Sequence, residues 1–364
     1  MNPKTGISSF ALDRTAIDAL PQGANTPIEK VLLQAPGVTQ DSKAGGDFHV
    51  RNEHANVQYR INGIIIPDGV AGFGQLLETG FVGKLELLTG ALPAQYGLRT
   101  SGVVDITART QTETGGSVGI YGGSRGTITP SLEYGGIAGQ TQYFFTGRGL
   151  WNREGLENPA PSLNAIHDDS RQGRAFGYTS TLLNPDTRLS TIAGLSLQTY
   201  QIPNRRGLEP QFTAFGVSNF DSARLDERQL ERNFYGVVAL QHKAGEFDWQ
   251  VATFTRYSSV RFTPDPIGDL VFNGVASGVS RTSFLNGVQA DGSYRLSPAH
   301  TVRAGLMVSG EATEVANTST LLPVDAAGNQ VDAPFTVTDR SSIVACKRRP
   351  VAKRSLRAAV LRSS

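Results

Sequence analysis

The sequence predicts a mixed α/β domain followed by an incomplete antiparallel transmembrane β-barrel, on three observations. No run of 18 apolar residues occurs, so no transmembrane helix is available. The 41 glycines and the low charged fraction, 18%, fit poorly with a helical enzyme. From Gly115 onward, segments of about ten residues alternate apolar and polar side chains, the period of strands that cross a bilayer with one face on lipid.

The first 110 residues read as the α/β domain. Leu20-Pro21 and Asn25-Thr26-Pro27 frame a short helix, with Thr26 expected as N-cap, Pro27 at the first helical position, and Ile28, Val31 and Leu32 as an apolar face that ends before Pro36. Short strands follow at 49–51, 58–62, 64–66, 84–88 and 102–107, joined by glycine-rich turns, of which Asn62-Gly63 is the clearest. Around 110 residues suffice for one modest core.

The order of pieces in this region carries a resemblance. Ala35-Pro36-Gly37-Val38, Val50-Arg51, Asn62-Gly63, Glu86-Leu87-Leu88-Thr89-Gly90, Tyr96-Gly97 and Gly102-Val103-Val104-Asp105-Ile106-Thr107 resemble, in sequence order, the plug domain of TonB-dependent outer-membrane receptors. The resemblance implies a plug at 1–110 seated in a barrel and no covalent chemistry. It also implies active uptake of a scarce ligand such as a siderophore or other small molecule. Partners would be the inner-membrane TonB energy-transducing complex, a small-molecule or metal-chelate ligand, and outer-membrane lipid. It places three outward loops at 39–48, 52–56 and 67–75, where His54, Phe73 and Gln75 become candidate substrate contacts. The competing reading is a set of solvated turns. Arg51 would hold the plug to barrel carboxylates. The family's Arg-Gly is Arg51-Asn52 here, so Asn52 must make a turn usually left to glycine. Where the family often carries a second arginine, this chain has Thr89.

Residues 111–340 read as part of the barrel, with nine strands near 115–124, 126–135, 139–151, 173–184, 187–200, 230–243, 246–260, 281–296 and 300–314. In the clearest, Leu189, Thr191, Ala193, Leu195 and Leu197 face one way and Ser190, Gly194, Ser196 and Gln198 the other. Short turns at 135–139, 184–186, 244–245 and 297–298 alternate with long polar loops at 152–172, 201–228 and 261–280, the asymmetry of outer-membrane barrels. Tyr121, Tyr134, Trp151, Tyr200, Trp249, Tyr257 and Tyr294 are candidates for the aromatic girdles at the lipid interfaces, against the alternative of cross-strand pairs in a soluble sheet. Plugged transporters close with about 22 strands, more than nine.

Charge sets the last segment apart. The formal net charge of +2 includes seven Lys and Arg between Cys346 and Ser364, where no acidic residue occurs; residues 1–345 hold 27 basic against 32 acidic. Residues 341–364 are therefore expected to be a basic tail, disordered or translated out of frame, with pairing ending around Asp339-Arg340. A membrane-surface or nucleic-acid tail is the alternative, and the partner reading includes no nucleic acid. Met1-Asn2-Pro3-Lys4 leads into Ile7–Leu20 without the charged-apolar-small pattern of a signal peptide and without a TonB box. The single cysteine permits no internal disulfide.

Catalytic and cofactor motifs are missing from the sequence. The five histidines, His49, His54, His167, His242 and His300, do not fall at metal-ligand spacing. The G-x-x-G-x-G of Gly69–Gly74 reverses the dinucleotide fingerprint, so no cofactor is expected. Two rivals remain: a porin, adhesin or secretion barrel, which would not need residues 36–107, and a secreted β-rich hydrolase using Asp168 and Asp169 as paired carboxylates.

Overall fold

The computed structural model describes residues 7–40, 48–54, 57–66, 73, 77–92, 96, 101–110, 113–153, 156–160, 165–298 and 300–356; for residues 54 and 347–356 it describes the backbone alone. The N-terminal part contains β1 (Ile7–Asp13), α1 (Arg14–Asp18), α2 (Ile28–Leu32), β2 (Val38–Gln40), β3 (Phe48–Val50), β4 (Glu53–His54), β5 (Val57–Ile61), β6 (Ile64–Ile66), β7 (Val82–Gly90) and β8 (Gly102–Ala108). Five of these strands form one mixed sheet in the order β1-β7-β8-β5-β6, in which only the β5–β8 pair is parallel. β2, β3 and β4 form a second, small sheet.

The turns follow the residues that need them. Asn62 and Gly63 adopt φ of 51° and 80°, joining β5 to β6, and Asn62 Oδ1 accepts from the Ala108 amide at 2.9 Å. The β3–β4 turn puts both Arg51 (φ 53°) and Asn52 (φ 64°) in the left-handed region. Asn tolerates this well; Arg does so at some cost. The expected helix forms with Ile28, Val31 and Leu32 buried, but it starts one residue later than its sequence suggests. Pro27 occupies the N-cap, and Thr26 is extended, as the residue before a proline prefers. The Thr26 side chain therefore makes no cap.

Ten long strands follow: β9 (Gly115–Gly123), β10 (Thr127–Ala138), β11 (Thr141–Asn152), β12 (Ser170–Asn184), β13 (Thr187–Gln201), β14 (Arg228–Ala244), β15 (Phe247–Thr263), β16 (Val275–Ser297), β17 (His300–Leu321) and β18 (Phe335–Leu356). They form one antiparallel meander in sequence order, with no closure between β9 and β18. Two-residue hairpins lie at one end, and Gly139 and Gly245 supply the φ of 60° that two of them need. The long connections, 153–169, 202–227, 264–274 and 322–334, lie at the other end. Around α3 (Gly268–Asn273) they bury a small core of their own from Ala214, Leu270, Val271, Ala276 and Leu322, with Phe212 and Phe220 packed against it.

Nine of these strands overlie the nine expected from alternation. The tenth corrects the sequence reading: pairing does not end at Asp339-Arg340, because β18 runs in register with β17 from Leu321↔Phe335 to His300↔Leu356. The segment expected to be disordered from 341 is thus strand backbone as far as Leu356. A 22-residue partner offers ladder bonds to any extended backbone, whatever its side chains, so loss of alternation in a basic segment does not end a strand.

The N-terminal domain sits against the concave face of the sheet, and the two share one core. Ile17, Val31, Ile61, Phe81, Leu85 and Ile106 pack in the same cluster as Phe144, Phe176, Tyr178, Ile192, Tyr235 and Phe254 of the wall. Phe81 stacks on Phe176 with ring centroids 3.8 Å apart. The convex face carries the apolar set: Leu195 and Leu197 are 40% and 53% exposed, whereas the intervening Ser196 and Gln198 on the concave face are 0% and 1% exposed. Tyr134, Trp151, Tyr257 and Tyr294 also lie exposed, as girdle residues would. Tyr200 and Tyr121 do not fit that assignment. Tyr200 is buried, and both line the space between wall and plug.

Candidate functional site: a polar cavity between plug and wall

A cavity of about 430 Å³ opens between the segment 20–34, which contains α2, and the long-loop ends of β9 to β13. The apolar face of α2 turns inward to the plug core. Glu29, together with Asn25 and Thr26 of the preceding turn, faces the cavity. The wall contributes Thr129, Arg148, Gln172, Arg174 and Tyr200, all from the concave face, where side chains of matching parity must point.

At the cavity lining, Arg148 enters an ion pair that ties plug to wall. Arg148 Nε is 2.7 Å from Glu78 Oε1, with side chains only 3% and 1% exposed. Glu78 Oε2 accepts from the Gly80 amide at 2.5 Å and from Thr146 Oγ1 at 3.1 Å, and Arg148 Nη1 donates to the Ala24 carbonyl. Such a pair persists only where further hydrogen bonds support the ions; here those bonds fall on Glu78 Oε2 and Arg148 Nη1, while Oε1 and Nε are left to face each other. Gly80 is required there: a Cβ would lie 2.5 Å from Glu78 Oε2 and 2.7 Å from Thr146 Oγ1. Arg109 Nη1 and Glu133 Oε2, 2.6 Å apart, make a second tie. A third joins the Phe73 amide to Glu231 Oε1 at 2.6 Å.

Glu29 is the exceptional group. Burial pushes its carboxyl up to about 7, against the pull of Arg174 and Lys30. Its Oε2 has no hydrogen-bond partner among the described residues, and the same holds for Asn25 Oδ1, Thr26 Oγ1 and Gln172 Oε1. Four buried oxygens, three on the plug side and one on the sheet side, leave the cavity equipped to bind hydrogen-bond donors.

The residues singled out from sequence fare differently. Phe73 reaches the site: it lines the cavity and meets Tyr200 edge to face, centroids 5.7 Å apart. It therefore has the packing reason that its loop position hid. Arg51 is exposed, its amide donating to the Gly37 carbonyl at 2.9 Å. The buried tie described here has the opposite polarity to the one expected of Arg51, with the carboxylate on the plug and the arginine on the wall. His54 pairs across the β3–β4 hairpin with His49 in backbone register, and its side chain lies outside the described residues, as does all of Gln75. Asp168, half of the suggested carboxylate pair, is buried and accepts from the Leu156 amide at 2.9 Å; Asp169 faces Arg153 at 3.2 Å. Both act as loop staples. Among the described residues no three His, Cys, Asp or Glu come together as a metal site.

No protein-family model matches the chain, and no curated protein does. Solved structures do match. The ferric citrate transporter FecA in the unliganded form is 14% identical, with a TM-score of 0.69 over 96% of this chain and 54% of its own. The ferripyoverdine receptor of the outer membrane of Pseudomonas aeruginosa is 13% identical, with a TM-score of 0.62 over 97% and 54%. The ferric yersiniabactin uptake receptor FyuA from Yersinia pestis is 14% identical, with a TM-score of 0.56 over 95% and 62%. The fold is that of the TonB-dependent outer-membrane receptors, and these neighbours are receptors and transporters rather than enzymes. The chain spans little more than half the length of each.

Proposed function

We propose that the chain is the plug and first barrel strands of an outer-membrane receptor that takes up a small molecule, metal chelates included, with energy from the inner-membrane TonB complex. The ligand is received in the cavity between α2 and the wall, and passage requires the plug to shift against the sheet. The observation that carries the reading is a plug held to the concave wall by a few buried polar ties beside a cavity at the long-loop end. A free pore would have no use for such a plug, so the porin reading is disfavoured. Phe73 and His54 are proposed ligand contacts of the plug loops, Gln75 accompanies them, and Arg51 is proposed as a contact between plug and barrel. The test is uptake of radiolabelled small solutes by cells making the receptor, with and without the inner-membrane TonB protein. Uptake that depends on TonB is expected, and alanine at both Phe73 and His54 should weaken ligand binding tenfold, about 1.4 kcal/mol. Uptake indifferent to TonB would overturn the reading in favour of a passive barrel.

A further inference from the structure

We propose that the cavity beside α2 selects an uncharged, hydroxyl-rich small molecule, of the chemical class of sugars and polyols. The inference rests on the reading that this cavity receives the ligand, and adds the ligand's class.

Charge argues first. The buried guanidinium groups of Arg148 and Arg174 face the carboxyl groups of Glu78 and Glu29, and the Glu29 carboxyl, pushed up to about 7, is part-protonated at neutral pH, so the described lining carries no full surplus charge of either sign. Lys30, at the mouth, is exposed.

Hydrogen-bonding capacity argues second. Six carboxamides line the cavity: Gln22, Asn25, Gln34, Gln40, Asn152 and Gln172. A carboxamide offers two N–H donors and a carbonyl acceptor, the complement of a hydroxyl group, which both donates and accepts. The oxygens already noted as lacking partners, Asn25 Oδ1, Thr26 Oγ1, Glu29 Oε2 and Gln172 Oε1, would each accept from a hydroxyl of the bound molecule. A charged chelate would meet three neutral oxygens and one carboxyl that already faces the Arg174 guanidinium, which gives it little advantage over water.

Shape argues third. Phe73 and Tyr200 meet edge to face, and with Tyr121 and Leu150 they set apolar surface among the amides, Leu150 lying directly across the strand pair from Gln172. A pyranose combines the same two surfaces, with C–H faces and an equatorial rim of hydroxyls. A volume of about 430 Å³ suits one or two such rings and falls within the range of small-molecule sites.

The experiment is calorimetric titration of the chain, folded in detergent micelles, with three groups of probes. The first is a panel of neutral sugars: glucose, maltose, cellobiose, sucrose and N-acetylglucosamine. The second is citrate, and the third a ferric hydroxamate chelate. Binding of at least one sugar is expected, with a tenfold or greater loss in Gln172→Ala and in Asn25→Ala while the circular dichroism of the β-sheet is unchanged. Asn25 lies in a turn, so it keeps the test intact if Gln172→Ala does not fold. Binding of citrate or the chelate in place of every sugar, lost in the same variants, would overturn the proposed class and leave the uptake reading standing. Sugar binding untouched by either variant would place it elsewhere and overturn the assignment to this cavity. No binding of any probe would overturn the class and, with TonB-independent uptake, the receptor reading as well.

Discussion

The two faces of the ten-stranded sheet are made by the same strands and obey opposite rules. On β13 the convex side presents Leu195 and Leu197, while one residue along, the concave side buries Ser196 and Gln198. The convex side has no specific partner and is suited to hydrocarbon. The concave side pairs its charges instead: Arg148 meets Glu78, and Glu133 meets Arg109. Mean hydropathy averages the two faces and registers neither, which is why a chain without a single long apolar run can still carry a continuous apolar surface. Specificity of assembly lies on the inner face, and compatibility with lipid on the outer.

If that division is right, the largest effect should come from breaking a pair on the inner face. Arg148→Ala leaves the Glu78 carboxylate buried without its cation, which costs about 3–5 kcal/mol. Urea titration followed by protease protection of the plug should show the plug released before the sheet unfolds. The double variant Glu78→Met with Arg148→Met should recover much of the loss, since the penalty lies in the unpaired ion rather than in the missing bridge. A single variant as stable as the parent would mean that the tie contributes nothing.

A one-residue step along β13 then compares the faces directly. Leu195→Arg places a cation on the convex side near mid-strand and should cost about 2–4 kcal/mol when the chain folds into lipid vesicles. The penalty should shrink in detergent micelles, where the head group can reach water. Ser196→Leu adds volume to a closed inner face and should cost about 1–3 kcal/mol in either medium. Equal behaviour of the two variants in both media would show that the faces are not distinct.

How much of this was legible in the sequence follows from the same division. Alternation located nine strands because each has one lipid-compatible face, and β18 escaped because Lys347-Arg348-Arg349 breaks the alternation while the backbone pairs on. β1, Ser8-Ser9-Phe10-Ala11, escaped because its pairing with β7 is set by a strand some seventy residues away. Parity already placed Tyr200 with Ser196 and Gln198, on the inner face; its aromatic character argued for a girdle, and parity was the better guide. The Glu78–Arg148 tie was invisible, since nothing local marks which charge on a polar face will be buried. Its only trace was an arginine in a strand otherwise rich in Gly, Thr and aromatic residues. Of the cavity oxygens, that of Glu29 sits on the polar side of a helix whose apolar side the sequence shows, and those of Asn25 and Thr26 sit in the turn before it, but nothing local marks the wall that faces them.

A smaller effect should appear as pH dependence of plug seating. The Glu29 carboxyl titrates near 7 in the folded chain, well above its ordinary value of 4.5, chiefly through burial. The folded state therefore binds a proton more tightly than the unfolded one, so this group favours folding at low pH. That contribution is fully present below about 4.5 and declines as pH rises through 7, with an amplitude of order 1 kcal/mol or more. Glu29→Gln cannot titrate and should flatten that part of the stability curve between pH 5 and 7.5, measured by urea titration. An unchanged slope would assign the dependence to other carboxyls, such as the outer-loop Glu227, also pushed up to about 7 by burial and by Asp269.

The smallest effect should come from the contact that joins a plug loop to the inner face without any charge. Phe73 meets Tyr200 edge to face at 5.7 Å, and its amide is fixed separately by Glu231. Phe73→Leu keeps most of the apolar volume and the backbone tie, and loses only the ring-to-ring geometry, worth about 0.5–1.5 kcal/mol. Because the amide bond survives, the loop should stay docked and global stability should move by no more than that amount. Hydrogen exchange at the residue 73 amide is the sharper measurement. Modestly faster exchange is expected in Phe73→Leu, and much faster exchange in Glu231→Ala, where the acceptor itself is gone. If Phe73→Leu instead releases the amide as fully as Glu231→Ala does, the ring and not the charge holds the loop. The inner face would then depend on packing as well as on polar pairing, and the contrast between the two faces would be weaker.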